Sequence, residues 1–81
     1  MSNAVDNGMI CFNKTWLPID RCLAIQGDDQ YTIWALFERD NETEFIELVK
    51  TDDQTEFEEK LEAYGERLGQ RRKEWKEYQK K

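Results

Sequence analysis

Apolar positions along this chain change their period once, and the change divides it. Up to Lys50 they fall in short runs broken by polar turn residues; from Thr51 onward they recur at alternating steps of four and three. The first pattern is that of strands, the second that of one helix face. Residues 9–12 predict a first strand with a break near Asn13-Lys14. Trp16-Leu17-Pro18 is extended by the restriction proline places on the residue before it, and Pro18, which has no N–H to donate, belongs at an edge or a turn. Residues 21–26 predict a strand built on Cys22, Leu23 and Ile25, and Gly27-Asp28-Asp29 marks the turn after it. The strongest strand is 31–38, with Tyr31, Ile33, Ala35 and Phe37 on one face and Trp34 and Leu36 on the other. Asp40-Asn41 is a short hairpin connection into 44–50, where Phe45, Ile46, Leu48 and Val49 supply both faces.

The helix has a readable start. Thr51 with Gln54 three residues on fits a capping box, and Asp52 and Asp53 oppose the positive end of the helix dipole. Phe57, Leu61, Tyr64, Leu68, Arg71, Trp75 and Tyr78 then lie on one stripe. Gly65 and Gly69 interrupt it, each at a cost of about 1 kcal/mol relative to alanine, so a bend or a stop is open there. A helix unbroken over 52–81 would be roughly 45 Å long. A compact body of this size is only about 30 Å across. About ten residues would therefore overhang, leaving Trp75 and Tyr78 nothing of their own chain to pack on.

The fold expected is α+β: a three- or four-stranded antiparallel β-meander followed by one long C-terminal α-helix packed on one face of the sheet. The organisation expected is a flexible arm over 1–8, a small acidic domain over 9–69 and a basic helical extension over 70–81. One helix covers one sheet face; apolar residues on the other, Trp34 foremost, would be wet unless a partner sits there. The order recurs in many small bacterial and phage proteins, and no motif singles out a family.

Charge sharpens the division. Residues 1–69 carry six Lys/Arg against sixteen Asp/Glu, a net of −10, while residues 70–81 carry six against two, a net of +4. An acidic body with a basic tail favours contact between subunits. With 38% of residues hydrophobic and 37% charged, apolar area is scarce and oligomerisation is a natural supplement. The first residues lack the features of a signal peptide and no apolar run approaches the ~18 residues of a membrane span. The expectation is cytoplasmic, without membrane contact.

Candidate chemistry is sparse. Histidine is absent, which removes the commonest general base and metal ligand. Cys11 and Cys22 do not make a zinc pattern and have no evident base beside them; they read as small buried hydrophobes rather than a disulfide. Asp28-Asp29 and Asp52-Asp53 lack calcium-loop spacing and suit a turn and a helix start. No glycine-rich phosphate loop precedes a helix. No enzyme activity, cofactor or metal is expected.

The tail is the most specific feature, with Arg71, Arg72, Lys73 and Lys76 interleaved with Trp75 and Tyr78. Basic charge with aromatics suits a phosphate backbone and exposed bases. Glu74 and Glu77 dilute the patch, however, and both aromatics stay in phase with the helix stripe. The function expected is thus a non-enzymatic protein–protein interaction or oligomerisation module, a homodimer first and another protein partner second. Its candidate interface is Trp34, Leu68, Arg71, Arg72, Trp75, Lys76 and Tyr78. The rivals are a nucleic-acid-associated protein using the same tail, and an acidic nucleic-acid mimic that inhibits a basic protein.

Overall fold

The computed structural model describes residues 8–79. Apart from Gly8, the expected flexible arm lies outside them. Two strands, β1 (Met9–Phe12) and β2 (Thr15–Pro18), lead through a 3-10 turn (Ile19–Arg21) into β3 (Cys22–Gly27), β4 (Thr32–Arg39) and β5 (Glu42–Lys50), and a single helix α1 (Gln54–Gln79) ends the described chain. The meander is antiparallel throughout, as the sequence predicts, but divides into a two-stranded sheet β1-β2 and a three-stranded sheet β3-β4-β5.

Both tight hairpins place their two central residues in left-handed backbone, a conformation that Asn and Asp tolerate better than other side chains. Asn13 and Lys14 (φ 46° and 69°) join β1 to β2, and Asp40 and Asn41 (φ 50° and 69°) join β4 to β5. Positive φ at both central residues is the type I′ requirement, whose twist matches that of the paired strands. Register then sets the faces. Ile25 and Ile46 flank Ala35 on the inner face, whereas Gln26 and Glu47 flank Trp34 on the outer one. A bulge near Leu48 turns it and its neighbour Val49 both toward the core.

Helix α1 lies along the inner face and runs antiparallel to β3: Phe57 meets Gly27 at the far end of that strand, and Arg72 donates to the Cys22 carbonyl at its start. Between them Tyr64 packs on Phe12 with ring centroids 5.1 Å apart, and Leu68 sits in the core. The helix is continuous through Gly65 and Gly69, neither of which has a neighbour where a Cβ would stand.

Three expectations are corrected. The helix cap is Asp53, whose carboxylate accepts from the Glu56 amide at 3.0 Å, and not Thr51 with Gln54. Thr51 is buried and binds the Tyr31 carbonyl through both its N–H and its hydroxyl, tying the end of β5 to the start of β4. Trp75, secondly, does not overhang. The helix, 26 residues and about 39 Å long, matches the long dimension of the molecule, 42 Å. The 3-10 turn before β3, with Gly8 held on it by the Ile19 amide, lies against the last turns of the helix: Trp75 packs on Gly8 and its indole N–H donates to Asp20 at 3.3 Å. Thirdly, Leu68 is 4% exposed in its own core and has no surface to offer a partner.

Candidate functional site

The apolar stripe of α1 is used within the monomer, so the available apolar surface lies elsewhere. Alternation along β4 sends Ile33, Ala35 and Phe37 to the core and Trp34 and Leu36 to the opposite face. Phe45, paired with Leu36 across the strands, joins them there and is 57% exposed. Trp34 and Phe45 meet edge to face, with centroids 6.4 Å apart and planes at 82°. That arrangement is favoured by the ring quadrupoles. Together with Gln26, Gly27 and Asp28 they line a shallow cleft of about 380 Å³.

Asp28 fixes the geometry of this cleft. One carboxylate oxygen accepts the backbone N–H groups of Gln30 and Thr32 at 2.9 and 3.0 Å, which shapes the β3–β4 turn, and the other accepts the Trp34 indole N–H at 2.9 Å. The indole bond foremost, then the amide bonds, hold the Asp28 carboxyl below the usual carboxylate range, and Lys50 adds to the effect. These bonds favour the anionic form of Asp28 and make it a poor general base. Glu47, directly across from Trp34, adds a second negative charge beside the ring. The site can hold an apolar or flat side chain flanked by positive charge.

The other sequence-predicted residues do not join this surface. Arg72 is held on the Cys22 carbonyl and Trp75 on Gly8 and Asp20. Arg71 stands 3.9 Å from Glu74, an exposed contact of little energetic weight. Lys76 is exposed, and Tyr78 stacks on Trp75 at 5.4 Å while remaining 46% exposed. Of the seven, only Trp34 lies on the outer sheet face. Leu36 shares Trp34's face as the alternation predicts, whereas Phe45 is not singled out by the sequence reading, although its position in phase with polar Thr43 and Glu47 marks it as outward.

Neither cysteine points to chemistry. Both are free, and burial raises the Cys22 thiol above its ordinary pKa despite the nearby Arg72, leaving it protonated and unreactive. Among the described residues no group of three or more His, Cys, Asp or Glu is placed to hold a metal ion, and no helix is long and apolar enough to cross a membrane. No known family, curated protein or solved structure matches this chain.

Proposed function

We propose that this protein is a non-enzymatic interaction module that self-associates, and that its contact surface is the outer face of the three-stranded sheet. The observation that carries this reading is the outer-face cluster of exposed Phe45 with partly buried Trp34 and Leu36, on the face opposite the helix of a chain with little apolar area to leave wet. The helix stripe, in contrast, is already occupied from Phe57 to Trp75. The nucleic-acid reading has less support: Arg72 and Trp75 are engaged within the chain, which removes a charge and the principal stacking surface from the tail.

The test is the absolute mass in solution, by light scattering after size exclusion, of the full chain and of Phe45→Ser. Phe45 is exposed, so its replacement leaves the core intact. The expected result is a wild-type species larger than a monomer that reverts to a monomer in the variant. A wild type that stays monomeric at high concentration, or a variant that assembles as well as the wild type, overturns the reading.

A further inference from the structure

The two edges of the three-stranded sheet differ in how they are covered. Helix α1 runs along β3, and Arg72 takes the Cys22 carbonyl at the start of that strand. Along β5, among the described residues, the one hydrogen bond from outside the sheet is at Leu48, whose carbonyl accepts the Asn13 side-chain amide at 2.8 Å. Residues 42–47 of this edge, all but Ile46 exposed, are paired on the β4 side alone. An open edge of this length is a template for another strand.

The tight turn fixes which backbone groups are open. The Glu42 amide bonds back to the Arg39 carbonyl across the two-residue hairpin, and the alternation of an antiparallel pair then turns Glu44 and Ile46 toward β4 as well. Thr43, Phe45 and Glu47 therefore present their N–H and C=O groups to the open side. A second copy of β5 laid antiparallel, Phe45 opposite Phe45, engages all of them: Phe45 exchanges bonds with its counterpart, and Thr43 of each copy with Glu47 of the other.

The side chains suit the same register. The two Phe45 rings become neighbours on the outer face, where Glu47 stands beside Thr43. On the inner face Glu44 stands beside Ile46 and Glu42 beside Leu48, so no glutamate directly faces another. Moving the axis along the strand loses this. Centred on Glu44, the pairing sets that carboxylate against its own copy. Centred on Ile46, it carries Thr43 opposite Val49, past the bulge where the ladder slips and Asn13 occupies the Leu48 carbonyl.

We propose that two copies of the chain pair through β5 in this register, about a two-fold axis at Phe45, into one continuous sheet. This rests on the self-association proposed above and places it at the sheet edge, where the Trp34–Phe45 row of one outer face runs on into that of the other. The contact is isologous and closes on itself, since the edges left over are those of β3 beside α1.

Thr43→Pro in the full chain separates edge pairing from contact between outer faces. Thr43 is exposed and its N–H points away from β4, so proline there removes no bond within the subunit, and circular dichroism checks the fold. In the paired strands it deletes a donor and sets a ring against the Glu47 carbonyl of the second copy. The expected result by light scattering is a wild-type dimer and a monomeric variant. The wild-type dimer, assembled from equal parts of isotope-labelled and unlabelled chain, should also show a nuclear Overhauser contact between Glu44 Hα of one copy and Ile46 Hα of the other, a non-hydrogen-bonded pair in this register. A folded variant that assembles as the wild type does overturns the strand pairing and leaves contact between outer faces standing. A wild-type dimer that lacks the Glu44–Ile46 contact does the same, whether or not the variant folds. A monomeric wild type overturns both readings.

Discussion

Replacing Trp75 with alanine should destabilise the single chain. Fully buried tryptophan truncations cost about 3–5 kcal/mol. Trp75 is half-buried: one edge of its ring lies 3.1 Å from where a Cβ on Gly8 would stand, and its N–H reaches Asp20 through a long, exposed bond of 3.3 Å. Scaling for partial burial gives about 2 kcal/mol, with the hydrogen bond adding only about 0.5. For a domain of this size that is a large share of a total of roughly 4–12 kcal/mol. It corresponds to a fall in melting temperature of about 8–16 °C. Urea denaturation followed by far-ultraviolet circular dichroism, at two protein concentrations a hundredfold apart, reads it directly. An intrachain anchor gives the same loss at both concentrations, whereas an interface residue gives a loss that depends on concentration. A change below about 0.5 kcal/mol, or one seen only at the higher concentration, would refute the placement of Trp75 on Gly8 and Asp20. Trp75→Phe, which keeps most of the ring and loses the donor, should recover more than half of the loss.

Other substitutions probe the remaining contacts. Gly65→Ala and Gly69→Ala meet no neighbour, so each should stabilise the helix by about 1 kcal/mol; a loss of stability in a melt would mean something packs on that helix face. Gly27→Ala would place a Cβ 2.2 Å from the Phe57 ring and should cost about 1–3 kcal/mol, partly recovered by adding Phe57→Leu; a neutral Gly27→Ala would refute the close approach of α1 to β3. Asp28, with its folded pKa below the unfolded value near ~3.9, contributes stability that is fully present above that value and is lost as pH falls through the lower folded one. Asp28→Asn should therefore flatten the acid limb of the stability profile; an acid limb identical to the wild type would contradict its bonds to Trp34 and the turn.

Local features of the fold were legible in the sequence because local chemistry determines them. The alternation over 31–38 gave the two faces of β4, and Asp40-Asn41 marked the hairpin that pairs it with β5. The spacing from Phe57 to Trp75 named most of the residues that pack on the sheet. What escaped was tertiary. That the β1–β2 hairpin stands apart from the other three strands is a matter of how the sheets pack, and that Gly8 and Asp20 lie beneath the end of α1 depends on contacts between residues 55 or more apart, to which no periodicity is sensitive. Without them a long helix reads as an overhang. The capping assignment failed by two residues because the Thr51 hydroxyl is engaged by Tyr31, leaving Asp53 to cap. In the candidate site Trp34 was visible as an apolar residue on the wrong face, whereas its bond to Asp28 and its edge contact with Phe45 required the strand register.

The outer sheet face as the contact surface is tested most directly by following backbone amide and indole N–H resonances as the full chain is concentrated from the monomeric range upward. The expected result is concentration-dependent shifts at the Trp34 indole and at Leu36 and Phe45, with Leu61, Tyr64 and Leu68 on the sheet-facing side of α1 unchanged. Assembly that moves those helix resonances and leaves Trp34 and Phe45 where they began would contradict it.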